Sequence, residues 1–319
     1  ARARGARAGR ASGTDETSRA VREEETLECA RHSSARRPRD DARNARDRAS
    51  RSCMLSRAFS VLGALARDAK RVRRATRAMA STTGAREEAR EADDKRAMRG
   101  EIRGRLREMD AKALRAADEA IDARLRALEP VRDARRVGAY LASARLREVS
   151  TSAFVARKTS EGSEAMVFSP IVDDASSSSM RMLHVCDQER DVERGAYDLP
   201  EPRETYESGV RRLDAVRDVR DVGALDVIIV PGVAFGEDGR RLGRGGGYYD
   251  AFLTRYVEAA ASVGAPPPLI VALAYGCQIY PRDRVPVRAH DRLVDVIVTD
   301  TRAIACTESG SRALGAATS

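Results

Sequence analysis

Residues 241–250 read Arg-Leu-Gly-Arg-Gly-Gly-Gly-Tyr-Tyr-Asp. Glycine weakens regular structure, so this run is either a plain turn or a place where backbone must come close to a ligand. For a phosphate ligand the residue types are apt. Backbone N–H groups of such a loop can cradle the oxygens, and the Arg241 and Arg244 guanidinium groups can fork onto them. Asp250 could cap a following helix or hold a Mg²⁺ ion that carries nucleotide phosphates. Two common nucleotide patterns do not fit. No Lys-Ser or Lys-Thr follows the glycines, and Gly-x-Gly-x-x-Gly fails where Tyr248 stands.

The elements around the loop favour the ligand reading. Before it, Asp-Val-Ile-Ile-Val-Pro-Gly (226–232) is a short β-branched apolar run closed by a turn, which predicts a buried strand. After it, residues 248–264 predict a helix. Strand, glycine loop and helix N-terminus together are the usual setting for a bound phosphate. Further strands are predicted over 135–142, 164–172, 180–186, 269–275 and 292–300. Helices are predicted over 95–109, 111–128 and 148–162, with Ser150 or Thr151 as the cap of the last. Met98, Ile102, Leu106 and Met109 form the apolar stripe of the first. This alternation predicts one three-layer α/β/α domain with a mostly parallel open sheet.

Composition narrows the classes. The formal net charge is +9, but residues 1–94 hold 23 Lys+Arg against 15 Asp+Glu, leaving 35 against 34 in the remainder. The basic excess thus belongs to a leader, and a nucleic-acid partner is not expected. The cysteines at 29, 53, 186, 277 and 306 lack Cys-x-x-Cys spacing, and the histidines at 32, 184 and 290 are scattered. A zinc cluster or disulfide framework is not expected. No apolar run reaches membrane-spanning length, so no membrane partner is expected. The domains expected are a disordered Arg/Ala-rich leader over 1–94, a catalytic unit over 95–304 and a flexible tail over 305–319. Within the leader, 54–85 reads as an organelle transit peptide: Leu55, Phe59, Leu62 and Leu65 share a helical face, arginines recur and Asp68 is the one acid in the stretch. A start at Met54 keeps that signal, for a mitochondrion or a chloroplast. A start at Met79 removes it and leaves a cytoplasmic protein.

The longer stretch Asp226–Leu253 resembles the signature of the 5-formyltetrahydrofolate cyclo-ligase family, with Pro231-Gly, Phe235, Asp238-Gly, Arg241-Leu-Gly and Gly245-x-Gly-Tyr-Tyr-Asp250 at family spacing. Residues 95–109, 140–151, 197–202 (Tyr-Asp-Leu-Pro-Glu-Pro), 274–278 and 290–300 resemble other family segments in order, so the likeness spans 95–300. It implies an ATP- and Mg²⁺-dependent conversion of 5-formyltetrahydrofolate to 5,10-methenyltetrahydrofolate, with ADP and phosphate released, by a monomer. It further implies that Lys95, Arg99, Arg241, Gly243, Arg244, Gly245, Gly246, Gly247 and Tyr249 hold ATP. Leu141, Glu148, Arg244 and Tyr248 would meet the folate, Arg244 and Tyr248 would serve catalysis, and Asp250 and Asp291 would serve the metal.

Each assignment has a plainer rival. Lys95 and Arg99 also fit a solvated helix face, Glu148 a helix N-terminal acid, Asp291 a loop residue and the tyrosine pair a core pair. His290 is read as structural and Gln278 as a candidate lining residue. The chain also departs from the family pattern. Gly246 stands where many members have lysine, Ile171 stands where a basic residue commonly follows the strand proline, and two extra residues lie between Leu141 and Glu148. A family member that keeps the ATP site but takes another substrate is therefore the alternative reading.

Overall fold

The computed structural model describes residues 87–315, apart from 88, 175–177, 289 and 290. Most of the leader, the transit-peptide segment and His290 lie outside the described residues. The helices are α1 (89–108), α2 (Ala111–Ala127), α3 (Glu129–Arg132), α4 (Ser152–Lys158), α5 (Val219–Val222), α6 (Tyr248–Ser262) and α7 (Glu308–Ala313). The strands are β1 (Arg136–Ala139), β2 (Met166–Asp174), β3 (Ser179–Val185), β4 (Val192–Arg194), β5 (Pro200–Pro202), β6 (Val227–Val230), β7 (Ala234–Gly236), β8 (Arg241–Leu242), β9 (Leu269–Leu273), β10 (Ile279–Tyr280), β11 (Val296–Val298) and β12 (Ala303–Ala305).

The main sheet runs β12-β11-β9-β6-β1-β2-β3. Its inner pairs are parallel, and both edge strands are antiparallel. Side chains alternate across a strand, so β6 feeds two cores. Val227 and Ile229 join one with Ile102 and Leu106 of α1 and Ile121 and Leu125 of α2. Ile228 and Val230 join the other with Phe252, Leu253 and Tyr256 of α6. The expected three-layer α/β fold is the fold observed. A strand covered on both faces must be apolar at consecutive positions, which is why 226–232 carried so clear a signal.

Helix ends are set by local chemistry. The Asp110 carboxylate accepts from the Ala113 N–H at 2.7 Å and starts α2. The Arg147 guanidinium donates to the Leu106 and Met109 carbonyls at 2.6 and 2.7 Å, which satisfies the end of α1. Helix α4 begins at Ser152, after the start of the predicted span 148–162, because the residues before it are tied to other elements: the Ser150 N–H donates to Asp118. Thr151 occupies its cap position, but its hydroxyl donates to the Tyr140 carbonyl instead.

Three features had no counterpart in the sequence reading: the β4–β5 hairpin, the small sheet β10-β7-β8, and β12 with α7. The last departs from the expectation of a flexible tail over its described part, 305–315. Thr307 caps α7 through the Gly310 N–H at 3.1 Å and also donates to Asp295. Gly310 is required there, because a Cβ would fall 1.9 Å from the Asp295 carbonyl oxygen. No helix among the described residues is long and apolar enough to cross a membrane.

A buried ion pair anchors the β4–β5 hairpin to β3. Arg212, 1% exposed, reaches Asp191 at 2.6 Å and the His184 carbonyl at 2.9 Å. Burial pushes the Asp191 carboxyl up, but Arg212 and the N–H groups of Cys186 and Asp187 outweigh it and hold it below the ordinary 3.8. Removing one partner strands a buried charge, so Asp191→Ala should cost about 3–5 kcal/mol in urea unfolding. Because the folded value is the lower one, the pair's contribution is present at neutral pH. It fades as pH falls through the folded value, and Asp191→Ala should flatten that acid limb.

Candidate active site

A cavity of about 680 Å³ opens beyond the carboxyl ends of β1 and β6. Polar loops gather there because the sheet below leaves no room for unpaired polar groups, and this crevice is where open α/β sheets bind ligands. Tyr140 and Leu141 enter it as β1 ends, and Pro231 and Gly232 as β6 ends. Pro170, Val172 and Met180 form an apolar wall from β2 and β3. Tyr197, Leu199 and Pro200, from the β4–β5 hairpin, line the cavity as well, together with Glu201.

The glycine loop forms the remaining side: Arg241, Gly243 to Gly247, Tyr248, Tyr249 and Asp250 all line the cavity. Gly245 and Gly247 have φ of 115° and 70°, which side-chain-bearing residues rarely adopt. Gly247 stands at the N-terminus of α6, which no side chain caps. Gly246 is constrained differently. A Cβ on it would lie 2.5 Å from the Tyr248 ring, so this ring position requires glycine there. Tyr248 also meets Tyr197, hydroxyl to hydroxyl, at 3.1 Å.

Arg241 is 5% exposed and donates to Asp250 at 2.8 Å, while its buried Nε has no partner. The Tyr249 hydroxyl is likewise buried and unpartnered, with its ring 5.8 Å from the Arg241 guanidinium. Burial, and then the charge of Glu148, push that phenol far up. It therefore keeps its proton and remains a donor. Two orphaned donors in one cavity wall are what a site for an acceptor-rich ligand looks like without the ligand.

Glu148 faces the loop. Its carboxylate accepts from Arg244 Nε and from the Ser143 N–H, each at 3.2 Å. Arg244 also donates to the Leu146 carbonyl at 2.8 Å. Hydrogen bonds from three other elements fix the adjoining backbone. Tyr140 donates to the Val149 carbonyl at 2.7 Å, and the Ser150 N–H donates to Asp118 at 3.1 Å. The Tyr275 hydroxyl reaches Asp118 at 2.8 Å, with the Glu148 carbonyl 3.3 Å away. Arg147 adds the turn itself, at φ 50°.

The other expected site residues lie on the far flank of the loop. Arg99 of α1 donates to the Gly243 carbonyl at 2.8 Å, so it holds the loop from behind. Lys95 bridges Glu91 and Asp291 at 2.8 and 3.2 Å. Asp291 is brought near the start of α6, because the Arg292 N–H donates to Asp250 at 3.1 Å. None of these three lines the cavity. Neither does Ile171, which alternates with Pro170 and Val172. Gln278 is 4% exposed, and its amide clamps the Gly232 and Val233 carbonyls, so it shapes the wall without lining it. Sequence reasoning gave no role to Arg145, Tyr197 or Glu201, all cavity residues. The motif at 197–202 was a signal for the last two, while Arg145 sits in the two-residue excess.

Comparison with known proteins agrees with this architecture. The profile of the 5-formyltetrahydrofolate cyclo-ligase family matches residues 91–300. The mitochondrial 5-formyltetrahydrofolate cyclo-ligase of Arabidopsis thaliana is 33% identical over 223 residues, 69% of this chain and 79% of that protein. The 5-formyltetrahydrofolate cyclo-ligase of Saccharomyces cerevisiae is 28% identical over 206 residues, 64% of this chain and 94% of that protein. The NMR structure of the Aquifex aeolicus 5,10-methenyltetrahydrofolate synthetase aligns with a TM-score of 0.52 at 26% identity, covering 67% of this chain and 93% of that one. Fold and cavity placement define an α/β enzyme whose site lies at the carboxyl edge of a mostly parallel sheet. The chain belongs to the 5-formyltetrahydrofolate cyclo-ligase family.

The Asp118–Tyr275 contact gives a test of how Glu148 is held. Burial raises the Asp118 carboxyl above 3.8, and the donors Tyr275 and Ser150 oppose that rise. Tyr275→Phe removes one of them, so Asp118 should titrate at still higher pH by NMR. Urea unfolding should show a loss of about 1–3 kcal/mol, the cost of a buried acceptor left short of a donor.

Proposed function

We propose that this enzyme converts 5-formyltetrahydrofolate and ATP to 5,10-methenyltetrahydrofolate, ADP and phosphate. The observation that carries the reading is one cavity in which a glycine loop with two arginines faces a carboxylate across apolar walls. The loop suits a polyphosphate, Glu148 suits the N–H donors of a pterin, and the apolar walls suit its ring.

The formyl oxygen is a poor leaving group. Its attack on the γ-phosphate converts it into a phosphate ester and releases ADP. N10 of the folate then bonds to the formyl carbon, loses its proton and expels the phosphate. Phosphoryl transfer needs alignment and charge neutralisation more than covalent help. Arg241 and the loop N–H groups hold phosphate oxygens, and Arg99 and Lys95 support the loop's far flank. Arg244 leaves Glu148 for the transferred phosphoryl group, which frees Glu148 to accept from the pterin. Leu141 and Tyr248 pack on the folate, and the Tyr249 hydroxyl donates to a ligand oxygen.

The residues fit a Mg²⁺ ion of the kind carried by a nucleotide. Among the described residues no group of three or more His, Cys, Asp or Glu forms a metal cage. Asp250 lines the cavity and accepts from the N–H of Arg292, the residue after Asp291, and Mg²⁺ commonly takes one or two carboxylates with phosphate oxygens and water. Bound there, the ion would neutralise charge on the β- and γ-phosphates.

The Arabidopsis relative is named mitochondrial, and with the transit-like stretch 54–85 this supports a mitochondrial location.

The test of the reading is absorbance, because the methenyl product has a chromophore that the substrate lacks. Substrate, ATP and Mg²⁺ should generate it with this chain, and a chelator should stop it. A folded protein that gives no signal above the enzyme-free control overturns the proposal. Gly246→Lys refines it. The new side chain must displace the Tyr248 ring while adding a charge beside the phosphates. KM for the folate should rise and KM for ATP should fall, and a shift of both in one direction would refute the split.

A further inference from the structure

We propose that Arg145 binds a carboxylate at the glutamate end of the folate substrate, so that it selects for substrates carrying that tail. The inference rests on the folate reading above and assigns a residue that the reading leaves without a role.

Three arginines line the cavity: Arg145, Arg241 and Arg244. Two already have carboxylate partners, Asp250 for Arg241 and Glu148 for Arg244. Arg145 has none among the described residues. Its one hydrogen bond runs to the Tyr197 carbonyl, on the opposite rim of the cavity. A guanidinium has five N–H donors, and a single carbonyl engages one of them. Arg145 is also exposed, on the 3₁₀ turn Ala144–Leu146, so its charge stands at the mouth where a ligand's far end would emerge.

The substrate's polarity matches this placement. A reduced folate carries N–H donors on its pterin and negative charge only on its glutamate. Glu148, deeper beside the loop, suits the donors. The arginine at the mouth suits the carboxylate, which it can grip with two parallel N–H bonds. ATP is the other oxyanion in the reaction, but its phosphates are served by the loop, Arg241 and Arg244. The contact with Tyr197 adds a second effect. Tyr197 also touches Tyr248, so a tail held by Arg145 is held beside this tyrosine pair.

The experiment uses the full chain, unaltered and with Arg145→Ala or Arg145→Lys. Equilibrium binding is measured for 5-formyltetrahydrofolate and for 5-formyltetrahydropteroate, which lacks the glutamate, alongside KM and kcat with ATP. Arg145→Ala should weaken binding of the glutamate-bearing ligand about tenfold, as expected for a charge-assisted contact at a partly wet site. KM for that substrate should rise in step, and Arg145→Lys should recover part of the loss. The pteroate should bind both proteins alike. Equal losses for the two ligands, no loss for either, or a raised KM for ATP alone would each overturn the inference. An unaltered chain that binds the folate without converting it refutes the proposed reaction, yet the binding comparison still decides the role of Arg145. A chain that binds neither ligand ends both proposals.

Discussion

The ion pair between Arg241 and Asp250 closes the neck of the glycine loop. Arg241 leaves β8 just before the loop, Asp250 lies in the first turn of α6 just after it, and 2.8 Å separates their charged atoms. Five loop residues with little conformational preference are thereby confined to an arc between two fixed points. The pair is nearly dry, so its net stabilisation is small after desolvation. Its effect is geometric. The arginine cannot swing into solvent, and the helix start cannot drift from the small sheet that carries β8. Arg99 braces the arc from the other side through the Gly243 carbonyl.

A second constraint acts across the cavity. Glu148 sits on a strandless stretch, which alone would hold a carboxylate poorly. Tyr140, Tyr275 and Asp118 pin the backbone on either side of it, each from a different element, and the neighbouring Arg147 ties the stretch to the end of α1. The Arg244–Glu148 contact then joins the two walls. An arginine and a glutamate that satisfy each other before ligands arrive avoid isolated charges in a half-closed cavity. In the proposed reaction they would trade partners once a phosphate and a pterin compete for them.

The sheet was legible in the sequence because strands covered on both faces must be apolar at nearly every position, as in Val227–Val230. The hairpin β4–β5 was not. Val-Glu-Arg and Pro-Glu-Pro have no apolar period, and their pairing depends on the Arg212–Asp191 contact, which is remote in sequence. Helix α7 was missed for a similar reason: Glu308–Ala313 is polar and is fixed by Thr307 and by close packing on Asp295. At the site, the loop and its arginines were visible as residue types. What they face was not. Arg241 turned out to be committed to Asp250, and Gln278 to the turn after β6. The missing lysine at Gly246 reads as the counterpart of a tyrosine ring packed over it.

The strand order carries a consequence for how the chain is made. Strand β1 lies between β2 and β6, and β6 lies between β1 and β9. During synthesis β1 and β2 emerge early, but the other edge of β1 stays unpaired until β6, about ninety residues later, leaves the ribosome. An open parallel edge with apolar faces is a template for wrong pairing, and such long-range closure is slow. The cavity shares this delay, since Glu148 and Arg244 meet only after the second half has docked. A nascent or truncated chain ending before β6 therefore exposes its stickiest edge and has no site to offer in return.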